Sequence, residues 1–220
     1  MTTLCLFSGP LSMFGAKAQI AMHEKGLPFE LVMVPFKTSY EPKHPEVLRI
    51  NPKRQVPVLI HDHLEVFDST QIFEYLEDLQ PDPALWPREP KARARARLLE
   101  LKSDEVYFPH VIRLMGLQHD LASADAVAAK AGAAAFCRQI EAQLPEREYL
   151  AGDFSFADIA FFMAQLFGER MGVPLDDSTP KLIAWRARLS RRPSVRAVIK
   201  PMVDYLTANG RAVPAFVADI

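Results

Sequence analysis

NPKRQVPVLIHDHLEVFDS, residues 51–69, is the stretch that decides the fold. Val56–Pro57 stands directly before Val58, Leu59 and Ile60. Proline cannot donate to a sheet ladder, so it belongs at the first residue of a strand, at an edge or at a bulge. A cis X–Pro bond is a second possibility there, because the tertiary amide loses most of the usual trans preference. After the strand, Asp62–His63 makes a short polar break and Leu64 to Phe67 returns, which predicts a hairpin. No glycine fills that turn, and His63 is expected to carry the left-handed conformation. Asp68 then opens a helix as its N-cap, with Gln71 three residues on as a capping-box partner. The result is a strand entered through a proline, a hairpin, and a capped helix mouth whose first N–H groups lack intrahelical partners.

Working back toward the N-terminus, Leu4 to Phe7 is a short apolar run stopped by Ser8–Gly9–Pro10, a strand and a turn. A helix is expected from Ser12 to Lys25, with Gly26 just past its end and Leu27 packing back on Met22 in a Schellman contact. Residues 29–34 are rich in β-formers and make a second strand. Such a strand–helix–strand unit pairs its strands in parallel through a right-handed crossover. Pro42 and Pro45 bracket an irregular stretch before residue 51. The order βαβ, short helix, ββα is that of a thioredoxin-like domain over residues 1–80.

Toward the C-terminus, QPDPALWPREP holds four prolines and no room for a helix or strand of any length. It reads as a linker over residues 81–90. Beyond it β-type alternation disappears. Residues 91–118 form one helical pattern kinked at Pro109, and 124–144 another, broken by Pro145. Residues 156–170, 180–189 and 194–206 follow, so an all-α domain is expected over 91–220. In AGDFSFADIAF, Ser155 and Asp158 form a capping box with Asp in place of Glu, flanked by Phe154 and Ile159 as a hydrophobic staple. Its role is structural. The fold class expected is therefore α/β plus all-α.

A net charge of −1 with 49% hydrophobic and 24% charged residues is that of an ordinary globular protein. Nothing in that balance draws the chain to nucleic acid or an anionic membrane. Lys91, Arg93, Arg95 and Arg97 are two residues apart, which scatters them round a helix as a solvated face or a dimer rim. No apolar run is long enough to span a bilayer, and MTTLCLF lacks the layout of a signal peptide. Cys5 and Cys137 lie far apart with no CxxC pair, which points to a reducing compartment, the cytoplasm. The six His residues have no HxH or HExxH context, so no metal is expected.

NPKRQVPVL followed by FDSTQIFEYLED, together with SGPLSMFGAK, the Ser155/Asp158 box and AWRARLSRRPSVRAV, resembles the soluble, cytosolic-type glutathione S-transferase family, as a bacterial serine-type member. The resemblance runs from about Leu4 to Tyr205. It implies glutathione as co-substrate, no metal, and a homodimer. By position it implies that Val56, before Pro57, pairs its backbone with the cysteinyl part of glutathione, with Gln55 beside it. Asp68 and Ser69 would hold the γ-glutamyl end. The physics agrees, since a helix N-terminus offers free N–H donors and a positive dipole end to a carboxylate.

The family must lower the pKa of a thiol that is mostly protonated at neutral pH. Its serine- and cysteine-type members place the catalytic residue five positions before a basic one, which fits Ser12 and Lys17. Ser8, right after the strand, is the rival. Serine in place of cysteine removes the option of a mixed disulfide. Two departures stand out. The family's His before a Lys-x-Pro-Glu segment is here Pro42, which leaves Lys43, His44 or Lys53 for the glycyl carboxylate. Arg54 stands where many relatives have Gly. The resemblance places the electrophile between Phe14 and the helix carrying Tyr107, Val111, Arg113, Leu114 and Met115. The alternative for this face is packed core. Rival functions are a glutathione-dependent ether-cleaving or dehalogenating enzyme, and a non-catalytic transferase-like interaction module.

Overall fold

A computed structural model describes residues 3–36, 43–144 and 149–218, so Pro42 and Pro145 lie outside the described residues. The chain forms two compact units, Met1–Ala84 with Pro193–Arg211, and Leu85–Arg192 with Ala212–Ile220.

The first unit carries a sheet of β1 (Leu4–Ser8), β2 (Phe29–Met33), β3 (Val58–His61) and β4 (Leu64–Phe67), in the order β2-β1-β3-β4. β1 runs parallel to β2 and antiparallel to β3, and β3 pairs antiparallel with β4. The hairpin loop is the two residues foreseen, but the positive φ (56°) falls on Asp62 rather than on His63. Asp tolerates that region as well as His does. With α1 (Met13–Glu24), α2 (Pro45–Ile50) and α3 (Ser69–Leu79) this is the expected thioredoxin-like arrangement. α1 ends as foreseen: Gly26 takes φ 63°, and the N–H groups of Gly26 and Leu27 each bond back at 3.1 Å, to His23 and Met22.

α1 has no polar stripe, and Ala16, Ala18, Ile20, Ala21 and Met22 are all buried. Its exposed sides must therefore be covered. α3 packs against it, and so does α9 (Pro193–Ala208), the last long helix of the chain. The expectation had placed these residues in one helical domain over 91–220. Instead Ser194 bonds to Glu24, and the Tyr205 hydroxyl donates to the Phe36 carbonyl at 2.9 Å, both within the first unit.

The second unit holds α4 (Pro90–Lys102), α5 (Phe108–Gly116), α6 (Ala124–Gln143), α7 (Phe156–Arg170) and α8 (Pro180–Leu189). The single helix expected over 91–118 is divided by a π-helical turn, Ser103–Tyr107. Pro109 cannot donate to the carbonyl four residues back, and the ladder widens there, with Phe108 N–H reaching Ser103. Every residue of α7 from Phe156 to Gly168 is buried, so it is the central helix of this unit. The proline-rich linker does not hang free: Trp86 is 1% exposed, its ring 4.9 Å from Phe156. The Asp158 carboxylate accepts from Ser155 N–H (2.9 Å), Ser155 hydroxyl (3.1 Å), Leu150 N–H (2.9 Å) and the Trp185 indole (2.8 Å). Phe154 packs against the Tyr149 ring and under the Arg192 guanidinium, which also donates to the Tyr149 hydroxyl at 3.2 Å. No helix among the described residues is long and apolar enough to cross a membrane.

Candidate active site

Sheet register assembles the site. Phe7 stands opposite Val58, and Val58 on its other side stands opposite Phe67. The residues after Phe7, before Val58 and after Phe67 therefore meet at one end of the sheet. Three of the stretches singled out from sequence lie there: Ser8 to Ser12, Val56–Pro57, and Asp68–Ser69.

Ser12 is the N-cap of α1, in extended conformation, its Oγ accepting from Gly15 N–H at 3.0 Å. Its hydroxyl proton has no acceptor among the described residues. Ser12 is 7% exposed, at the helix end where the dipole is positive. Ser8 differs. It is fully buried, and its Oγ accepts from Gln19 Nε2 at 2.8 Å. A Cβ added at Gly15 would lie 2.1 Å from Ser8 Oγ and 3.1 Å from Ser12 Oγ. Glycine is therefore what lets the first turn of α1 press against the end of β1. Lys17 is fully buried, its ammonium 5.4 Å from the Phe14 ring centre and 5.2 Å from that of Phe73.

The Val56–Pro57 bond is cis. Val56 packs against Phe7, Val34, Val47 and Val58. The loop before it is braced by Asn51, whose side chain accepts from Lys53 N–H (2.9 Å) and donates to the Gln55 carbonyl (2.6 Å). Asn51 was not foreseen as a site-forming residue, although an Asn-Pro pair is a turn signal. Arg54 in this loop takes φ 58°, the conformation that suits the glycine of the resemblance. Lys53 and Gln55 are exposed and Lys43 is half-buried. His44 caps α2, its Nδ1 accepting from Glu46 N–H at 3.3 Å.

Asp68 is the N-cap of α3, accepting from Thr70 N–H (3.0 Å) and Gln71 N–H (3.4 Å). Its backbone, at φ 76° and ψ 130°, lies where a non-glycine residue is strained, and such strain collects at functional sites. Ser69 is 3% exposed, and its N–H and hydroxyl have no partner among the described residues. This end of the sheet thus offers the hydroxyls of Ser12 and Ser69, the Asp68 carboxylate, the free Ser69 N–H and an open backbone segment. No group of His, Cys, Asp and Glu among the described residues could hold a metal ion.

Residues 11–79 match the glutathione S-transferase N-terminal domain, and residues 105–193 match the C-terminal domain. The chain belongs to the glutathione S-transferase family. A probable glutathione S-transferase of rice, GSTU1, is 33% identical over 202 residues, covering 84% of each chain. A second, parC of tobacco, is 30% identical over 195 residues, covering 84% of this chain and 83% of its own. Among solved structures, a glutathione S-transferase from Rhodospirillum rubrum superposes with TM-score 0.81 at 26% identity, covering 99% of both chains. A glutathione transferase homolog from Sulfitobacter, with bound glutathione, gives TM-score 0.78 at 25% identity over 91% of this chain and 98% of its own. The relatives thus include plant as well as bacterial proteins.

In this transferase the residues expected to face the electrophile divide. Tyr107, Val111 and Leu114 are fully buried. α5 packs along α6, and its apolar stripe is the covered one. Tyr107 lies among the rings of Phe136 (5.5 Å) and Phe161 (5.4 Å). For these three the packed-core alternative holds in the helical unit. Arg113 is exposed, in an ion pair with Asp125 at 3.2 Å, while Met115 and Phe14 are half-buried.

Proposed function

We propose that this glutathione transferase is of the serine type. Ser12 donates its hydroxyl proton to the sulfur of bound glutathione and, with the N-terminus of α1, holds it as thiolate for attack on a hydrophobic electrophile. The observation that carries this is the division of labour at Ser12. Its oxygen is occupied by Gly15 N–H while its proton is uncommitted. A hydrogen bond to a charged acceptor is worth about 1.5–3 kcal/mol, enough to lower a thiol pKa by about 1–2 units.

The tripeptide is read by three groups. The backbone of Val56, ahead of Pro57 and beside Gln55, pairs with the cysteinyl residue. The Asp68 carboxylate takes the ammonium, and the Ser69 N–H and hydroxyl take the γ-glutamyl carboxylate. Lys43, His44 and Lys53 supply positive charge for the glycyl end. The bound glutathione of the Sulfitobacter homolog supports glutathione as the ligand. Phe14, and the members of the helical set that are not fully buried, Arg113 and Met115, serve the electrophile.

The chain acts in the cytoplasm as a homodimer. Supporting the dimer, Leu98 is 48% and Leu101 52% exposed on α4. A cavity of about 390 Å³ beside them is lined by Leu98, Leu99, Ile140, Leu144 and Leu150. Retention on immobilised glutathione and elution by the free tripeptide test the binding assignment. Passage through the column unretained would favour the non-catalytic module instead.

A further inference from the structure

Ser103 Oγ, the Tyr107 hydroxyl and Gln165 Nε2 are fully buried in the helical unit with no hydrogen-bond partner among the described residues. We propose that these groups bind an internal water molecule, held as a fixed part of the unit between the π-helical turn and α7. None of the residues assigned to glutathione belongs to this unit.

The packing of the turn on α7 brings the three groups together. The chain runs in the same direction through both elements: Trp86 stands against Phe156 at one end, and Tyr107 against Gly168 at the other. A Cβ added at Gly168 would lie 2.0 Å from the Tyr107 hydroxyl, so that hydroxyl rests directly on α7. Ser103 stands four residues before Tyr107 and Gln165 three before Gly168, each about one turn back on the same face. The Arg186 guanidinium bonds to Gln165 and is also close enough to act on the ionisation of Tyr107. The seam is therefore shared by all three groups.

Their chemistry selects the ligand. Gln165 Oε1 accepts from Arg186 Nη1 at 3.0 Å. A guanidinium only donates, so the amide orientation is set and Nε2 is the end without an acceptor. Burial pushes the Tyr107 pKa well above its ordinary value, so the phenol keeps its proton and can donate or accept. The neighbouring Cys137 thiol, a weak acceptor, does not satisfy it. The Ser103 hydroxyl can likewise rotate to give or take a hydrogen bond. One donor and two groups of either sense match a water molecule, and buried waters typically make about three such bonds. An ion does not match. A cation would meet the Gln165 NH2 with Arg186 behind it, and that guanidinium already has its carboxylate in Glu169, which leaves no charge for an anion. Without a bridging molecule each of these buried groups would carry its full desolvation penalty.

The test is a high-resolution crystal structure of the wild type together with one variant. Density for an ordered water within about 2.7–3.2 Å of Gln165 Nε2 and of at least one of the two hydroxyls is expected. Tyr107→Phe removes one partner of that water and keeps the ring. It should raise the unfolding constant about threefold to tenfold, the net worth of one hydrogen bond, and so lower the urea midpoint. A hydroxyl that truly lacks a partner gives the opposite sign, because its removal relieves an unpaired buried group. The proposal is overturned by a seam without ordered water in the crystal, or by a midpoint that rises or stays unchanged in Tyr107→Phe.

Discussion

The side-chain amide of Gln19 donates to Ser8 Oγ at 2.8 Å, and this bond separates the two serines at the mouth of α1. Ser8 is committed to holding the helix against the sheet, whereas Ser12 keeps a free proton at the surface of the site. Ser8→Ala should therefore cost about 1 kcal/mol of stability, one buried hydrogen bond, with turnover largely retained. Ser12→Ala should do the opposite, slowing turnover by about tenfold or more with the fold intact. Urea unfolding and conjugation rates on the two variants check this.

Gly15 is the contact point between these elements. An added methyl would stand 2.1 Å from Ser8 Oγ, and overpacking of this kind costs roughly 1–3 kcal/mol. Gly15→Ala should lower the denaturant midpoint and displace Ser12 enough to reduce turnover. Adding Ser8→Gly should restore part of both.

Lys25 ties α1 to the end of the first unit. Its fully buried ammonium pairs with Glu77 and donates to the carbonyls of Gln80 (2.8 Å) and Pro83 (2.7 Å). Lys25→Met leaves a buried carboxylate without its cation, a loss of about 3–5 kcal/mol. Lys25→Met with Glu77→Leu should recover most of that stability in the same unfolding assay.

Asp158 gives a pH signature. Burial raises its pKa to about 6 in spite of the four bonds that it accepts, which oppose the shift. The folded state then holds this proton more tightly than the unfolded chain. The group's contribution is full below about pH 4 and is lost as pH rises toward 6, on the order of 3 kcal/mol. The stability difference between the wild type and Asp158→Asn, from urea unfolding at pH 4 to 7, should shrink with rising pH. A difference constant across that range would mean that the four bonds offset burial.

What could be read from sequence was what local chemistry dictates. Pro57 at a strand entry, Asp68 at a helix mouth, Gly26 past a helix end and the Ser155/Asp158 box each depend on residues within a turn or two. Long-range packing was less visible. Val111 and Leu114 share a helical face, but spacing alone does not say whether that face meets a cleft or packed core, and it is buried in the helical unit. α9 joined the first unit because α1 is buried on nearly every side, Lys17 and Gln19 included, a demand on covering partners that its own sequence does not name. Asn51 acts through the carbonyl of Gln55 and the N–H of Lys53. Backbone partners of this kind leave no trace in a side-chain pattern.

The thiol of bound glutathione is where the central claim is most directly measured. Its ionisation, followed by thiolate absorbance in the ultraviolet across a pH series, should occur below that of the free tripeptide in the wild type. In Ser12→Ala it should shift upward by about one unit or more, with glutathione affinity by calorimetry little changed. An unaltered thiol titration in that variant would contradict the role given to Ser12.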